Sequence, residues 1–229
     1  REQAWEIIEK LDLCSEQESK VQFTMADRKI NAVISTSVGR LFDAVSAILG
    51  IRRQSSFEGE ASMALEFAAE AYEQRKYEQQ ECEQEKYKQQ KNKYEPQQDV
   101  DGMLTGNEKT DRLVYENEER FILNTRMLVQ QIVEEKIQGA DSERLAYLFH
   151  QVLAEQITTV CIEARNNSGR NKAALSGGVF QNRLLLRLTE ERLMQEGFEV
   201  LRHHMIPPND GGIAIGQAAY GMWHLNNNI

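Results

Sequence analysis

The sequence predicts a helix-rich α/β chain that closes with a short parallel-strand unit. Three observations carry that prediction. Apolar residues recur at helical spacing in several segments up to Ala164. Beyond it, short apolar runs stop at loops containing glycine pairs, Gly177-Gly178 and Gly211-Gly212. Each of those loops opens a new helical pattern, so the C-terminal third reads strand-loop-helix twice. A βαβα unit of that kind is expected to pair its strands in parallel through a right-handed crossover.

The elements follow in order. Ala4, Trp5, Ile7, Ile8 and Leu11 mark a first helix. A polar patch at Ser15 to Ser19 leads into a mixed segment, and Ile30 to Ser37 reads as a loop before a helix. That helix carries the stripe Leu41, Phe42, Val45, Ile48 and Leu49, with Gly50 as its stop. Another follows Phe57-Glu58-Gly59-Glu60, with Ala64, Leu65, Ala68 and Ala71 on one side. From Glu70 to Asp99 the chain is almost wholly Glu, Gln, Lys and Tyr, which offers no face to bury. This insert is expected as a solvated charged helix or as disorder. Phe121, Leu128, Ile132 and Val133 mark a helix stopped at Gly139. Asp141 or Ser142 then caps a long helix with Leu145, Leu148, Phe149, Val152, Leu153, Ile157, Val160, Cys161 and Ala164 on one face. Lys172 to Ser176 reads as a buried strand, Asn182 to Gln195 as a helix, Phe198 to Arg202 as a strand and Ile213 to His224 as a final helix. The expected organisation is a helical segment over 1–69, the polar insert over 70–110, and a helical pair with the βαβα unit over 111–229.

Length and charge narrow the class. A chain of 229 residues is long enough for a real core and corresponds to one domain or one and a half. Its 36 acidic and 27 basic residues give a formal charge of -9, which argues against a general nucleic-acid binder. Mean hydropathy is -0.58. No apolar run approaches the ~20 residues that a bilayer span needs. Cys14, Cys82 and Cys161 are odd in number and far apart, without a CxxC, so a reducing cytoplasm is the expected setting. The chain opens on Arg1 with no signal-peptide pattern, which suggests a processed product or a piece of something longer.

Three loops carry candidate chemistry. In Ser176-Gly177-Gly178-Val179-Phe180-Gln181-Asn182, the glycines let a ligand approach the backbone, the helix N-terminus offers N–H groups, and Asn182 offers an amide. Taken alone the glycine pair is a weak signal, and a plain tight turn is the alternative. In Asn209-Asp210-Gly211-Gly212, Asp210 is either a helix cap or a carboxylate ligand for a metal. The two loops leave the carboxyl ends of neighbouring parallel strands, the edge where open α/β sheets bind ligands. The third region joins Ser37 to Asp43 with Phe57 to Glu60. Asp43 lies beside an apolar stripe, and Glu58 and Glu60 flank a glycine at a helix start. Capping and solvation explain all three, as does acceptance from ribose hydroxyls. His203-His204 lacks an HxxxH or HxH partner, and His150 and His224 read as structural or surface residues. Cys161 sits in an apolar stripe and reads as a small buried hydrophobe.

These motifs together resemble a known family. Ser37 to Val45, Phe57-Glu58-Gly59-Glu60-Ala61, Phe149-His150, Leu175 to Arg183 and Pro207 to Gln217 are similar, in family order, to the C-terminal end of the HypF carbamoyltransferases of [NiFe]-hydrogenase maturation. Gly-Arg-Leu-Phe-Asp and Glu-Gly-Glu favour that family over the TsaD tRNA-modifying enzymes and the nucleoside O-carbamoyltransferases. The resemblance implies part of the second lobe of an actin/Hsp70-like (ASKHA) ATPase fold. It implies ATP and carbamoyl-adenylate as ligands, with the carbamoyl group passing to the C-terminal cysteine of a HypE-like partner. By the same carry-over, Gly177, Gly178 and Asn182 match the nucleotide loop, and Asp43 with Glu58 or Glu60 match positions near the ribose. Asp210 matches a ligand of a divalent zinc or iron whose histidine ligands are absent from this chain. No catalytic residue is assigned. The missing HxxxH and upstream regions lead to the expectation of a C-terminal fragment that is inactive alone and needs its first lobe. Two alternatives remain: tRNA threonylcarbamoyl or nucleoside carbamoyl transfer on the same fold, and a non-catalytic nucleotide-binding or assembly module.

Overall fold

The computed structural model describes residues 2–89, 113–117 and 120–227. Its elements are α1 (Glu2–Lys10), α2 (Glu16–Arg28), α3 (Val38–Ile48), α4 (Glu60–Gln89), β1 (Leu113–Asn117), β2 (Arg120–Leu123), α5 (Thr125–Ile137) and α6 (Ser142–Ser168). There follow β3 (Lys172–Leu175), a 3-10 turn at Gly178–Gln181, α7 (Arg183–Gln195), β4 (Glu199–Arg202), a second 3-10 turn at Asp210–Gly212 and α8 (Ile213–Asn227). The chain forms two compact units, 1–152 and 153–229, and the division falls inside α6.

The first unit is built on helix faces. The stripe on α3 buries Phe42, Val45 and Leu49; α4 adds Ala61, Leu65 and Ala69, α5 adds Leu128 and Ile132, and α6 adds Leu145 and Phe149. Each large apolar side chain removed from water in this way contributes roughly 1.5–3 kcal/mol. Phe42 meets Phe149 edge-on, with ring centroids 4.9 Å apart and planes at 81°. His150 is buried beside them, its ring centroid 5.2 Å from Phe42 and its Nδ1 2.7 Å from the Ala146 carbonyl oxygen. Burial therefore pushes the His150 imidazole down to about 4.

Three details depart from the apolar pattern. Residues 16–28, left unassigned by periodicity, form α2. Its signal is local: Ser15 Oγ accepts from the Glu18 N–H at 3.2 Å, and Glu18 Oε2 accepts from the Ser15 N–H at 2.9 Å. This reciprocal capping box satisfies two helix-end donors without any buried stripe. Phe121, expected on a helix, instead lies in β2, antiparallel to β1 and opposite Tyr115. The run Phe121-Ile122-Leu123 is short and rich in strand-forming residues, so pairing wins and α5 starts only at Thr125. Of the two expectations for the polar insert, helix holds through Gln89, because α4 simply continues. Extending a formed helix avoids the cost of nucleation, and Glu, Gln, Lys and Arg are good helix formers. Arg75 also ties it down, pairing with Glu143 and, at 3.5 Å, with Asp141. The rest of the insert, 90–110, lies outside the described residues.

The second unit carries the predicted parallel pair. Lys172 pairs with Glu199, Ala173 with Val200, Ala174 with Leu201 and Leu175 with Arg202. One core cluster is Ala173, Leu175, Leu193 and Phe198, with Cys161, Ile162, Phe180, Leu186 and Val200 packed around it, and Leu153, Leu184, Leu185 and Leu188 are buried as well. The Arg165 guanidinium lies 4.4 Å over the Phe198 ring and donates to the Glu196 carbonyl at 2.7 Å. Burial raises the Cys161 thiol, which suits a packing residue rather than a nucleophile. α8 buries none of its residues. No helix among the described residues is long and apolar enough to cross a membrane.

Candidate functional site

The candidate site lies where β3 and β4 end. Because the strands are parallel and in register, Leu175 and Arg202 finish side by side. The chain then leaves β3 through Ser176-Gly177-Gly178 and leaves β4 through His203 to Gly212, so both loops start from the same edge.

The two loops are tied together. The Gly177 N–H donates to the Pro208 carbonyl at 3.0 Å. Ser176 Oγ and His203 Nε2 are 2.9 Å apart and hydrogen-bonded. A Cβ built on Gly178 would sit 3.8 Å from Asn209 Cβ, so the two backbones run close there as well. The second loop is also held internally. Asn209 Oδ1 accepts from the Gly211 N–H at 3.1 Å, and the Gly212 N–H donates to the Asn209 carbonyl at 2.9 Å.

The glycines differ in what they do. Gly177 has φ +100°, a conformation that L side chains rarely adopt, so the turn itself demands glycine. Gly212 is demanded by space, since a Cβ would meet the Pro207 carbonyl oxygen at 2.7 Å. Gly178 is required by neither. Its φ is not left-handed, and its Cβ would make only an ordinary contact.

Asn182 is the N-cap of α7. It is 8% exposed, and its Oδ1 accepts from the Leu185 N–H at 2.8 Å. Asp210 opens the second 3-10 turn and is exposed. A metal needs about three or four protein ligands. Among the described residues no group of three His, Cys, Asp or Glu could hold one. The described side chains therefore do not fit a complete metal site.

Asp43, Glu58 and Glu60 belong to the first unit, and the glycine loops to the second. The carboxylate of Asp43 is compensated: Ser62 donates to Oδ1 at 3.1 Å, and Arg40 lies 3.3 Å from Oδ2. Glu60 accepts from the Ser56 N–H at 2.5 Å and its hydroxyl at 3.0 Å, and pairs with Arg52. The Ser56 backbone bond is the main cause that holds the Glu60 carboxyl below the usual carboxylate range, with the Ser56 hydroxyl and Arg52 assisting against some desolvation. Glu58 is exposed. Sequence reasoning missed Ser176 and the way His203 is used. No local sequence signal pairs them: the strand register of the fold sets Ser176 and His203 one step beyond the pair Leu175 and Arg202.

Known proteins match this chain along nearly its whole length. Residues 2–217 match the family model described as "Carbamoyltransferase, Kae1-like Domain, second subdomain". The probable carbamoyltransferase HypF of Methanocaldococcus jannaschii is 26% identical over 216 residues, covering 94% of this chain and 24% of that protein. Carbamoyltransferase HypF2 of Cupriavidus necator is 30% identical over 193 residues, covering 84% of this chain and 23% of the relative. The crystal structure of full-length HypF in a phosphate- and nucleotide-bound form superposes with a TM-score of 0.69 at 29% identity, over 93% of this chain and 24% of that one. The chain thus spans about a quarter of the length of these relatives.

Proposed function

Because the chain belongs to the HypF carbamoyltransferase family, we propose that it supplies one lobe of a nucleotide-dependent carbamoyl-transfer site, completed by further polypeptide. On this reading it is part of the second lobe of an ASKHA-type fold, and alone it is inactive. ATP and carbamoyl-adenylate are the proposed nucleotide ligands, and the proposed acceptor is the C-terminal cysteine of a HypE-like partner in hydrogenase maturation.

The transfer itself balances simply. The acceptor thiol loses its proton to solvent, and the thiolate attacks the carbamoyl carbon. A C–S bond forms, the bond from that carbon to the bridging phosphate oxygen breaks, and AMP leaves with that oxygen. The role of this chain is to bind and orient the nucleotide. Gly177 and Gly178 give it access to the backbone, beside the α7 terminus capped by Asn182. Asp43 and Glu60 each keep acceptor capacity beyond the bonds they make, since a carboxylate offers about four lone-pair sites, and Glu58 is exposed. Any of the three can accept from ribose hydroxyls. Asp210 would be one ligand of a metal whose other ligands lie outside this chain. A reducing cytoplasm is the proposed location, because a thiol acceptor must stay reduced.

The observation that carries the reading is Gly178. The fold does not require a glycine there, yet a side chain would fill the space beside the joined loops. Titration with ADP of the full-length polypeptide carrying this chain tests it. Gly178→Val should abolish binding while leaving the melting temperature nearly unchanged. Undiminished ADP binding by that variant, or none by the unaltered polypeptide, would sink the nucleotide reading. Asn182→Ala is the weaker probe, since it also removes the α7 cap.

A further inference from the structure

The geometry points to the Ser176–His203 pair as the positioning latch of the nucleotide loop, a role that rests on the reading above. Ser176 precedes Gly177 on the first loop, and His203 is the first residue after β4 on the second. Their side chains close a bridge of 2.9 Å across the ends of the two strands. On the same loops the Gly177 N–H reaches the Pro208 carbonyl at 3.0 Å, so a side-chain bond and a backbone bond clamp one glycine between them. Gly177 needs that clamp. A glycine loses more conformational freedom on ordering than any other residue, and this one holds φ +100°. A Cβ at Gly177 would meet no atom within 4 Å, so packing does not hold it in place.

The pair also suits an exposed rim. A serine hydroxyl both donates and accepts, and imidazole Nε2 does one or the other according to its tautomer. The bond is therefore available to either tautomer, and a protonated ring still donates to the hydroxyl. Two neighbouring strands whose parallel register brings one serine and one histidine to the same step make the contact without bending either backbone. Neither residue is placed against the reacting atoms. Their effect passes through the position of Gly177 and Gly178.

Peptide-resolved hydrogen exchange of this chain tests the latch without any ligand. Ser176→Ala and His203→Ala should each speed exchange about three- to ten-fold in both loops, 176–182 and 203–212, as loss of one hydrogen bond permits. The double variant should be no faster than either single one. Ser176→Thr keeps the hydroxyl and His203→Gln keeps a nitrogen at similar reach, so both should restore slow exchange. Acceleration confined to the altered loop, or additive effects in the double variant, would overturn the latch. In the full-length polypeptide, ADP affinity should fall by a similar factor in the two alanine variants and recover in the conservative ones. If ADP affinity is unmoved while exchange rises in both loops, the positioning role fails and the nucleotide reading survives. If the unaltered polypeptide binds no ADP, the nucleotide reading fails, and the exchange data still judge the latch.

Discussion

The two units of this chain bury their apolar residues to different degrees. In the first, α3, α4, α5 and α6 bury Phe42, Leu65, Leu128 and Phe149 almost completely. The second also buries Leu153, Leu184, Leu185, Leu188 and Leu193, yet its α8 leaves Ile213, Ile215, Tyr220, Met222, Trp223 and Leu225 more than half exposed. A helix that is apolar around much of its surface is ordinarily a buried one. The unit that carries this exposed apolar helix also holds the glycine loops. The Phe42–Phe149 packing and the glycine loops thus belong to different units, and each can be disturbed with the other as reference.

The strongest disturbance is to the first core. Phe149→Ala should cost about 3–5 kcal/mol, since it removes a fully buried ring and leaves a cavity against Phe42. Hydrogen exchange should show faster opening at α3–α6 amides. An equally large change in α7 would break the contrast between the units.

Acid is the next test. The unfolded His150 titrates near 6.5, and the buried one is pushed down to about 4. The folded form therefore resists a proton that the unfolded form accepts. The stability this provides is complete above pH 6.5 and is lost progressively as pH falls toward about 4, by up to about 3 kcal/mol. Urea midpoints measured over that range should fall, and His150→Phe should flatten the dependence. A slope unchanged by His150→Phe would assign acid sensitivity to other groups.

Gly212→Ala acts on the second unit. Its Cβ would meet the Pro207 carbonyl oxygen at 2.7 Å, so the loop must shift at a cost of about 1–3 kcal/mol. Exchange should rise in 203–212 and stay level in α3. The smallest effect on folding is expected from Ile215→Glu with Trp223→Glu, both on exposed positions of α8. The melting temperature should barely move, within about 0.5 kcal/mol of stability. Sedimentation should show less self-association, because an exposed apolar patch promotes it. Unchanged sedimentation would show that α8 is not the adhesive surface.

Legibility in the sequence followed the source of order. α3, α6 and α7 were readable because their apolar residues keep the period of a buried helix face, and Gly50, Gly139 and Gly197, all with positive φ, mark the stops of α3, α5 and α7. α2 escaped notice because its order comes from the Ser15–Glu18 capping box, with Ser19 its one buried residue. β2 escaped because Phe121 can serve a helix or a strand, and only a partner strand decides between them. In the site, Gly177, Gly178, Asn182 and Asp210 stood out by type and spacing. The structure gave several of those residues local tasks as well: Asn182 caps α7, Gly177 makes a left-handed turn, and Asp43 and Glu60 close hydrogen bonds between neighbouring segments.

The sequence by itself determined the helix-rich α/β class, the parallel strands and the family motifs, because periodicity, glycine placement and residue order are local properties of a chain. The tertiary structure alone decided that Ser176 meets His203 and that Gly177 bonds Pro208. Those contacts depend on strand register, which is set by how Ala173 and Leu175 pack with Leu193 and Phe198 in the core beneath, and no local pattern specifies it.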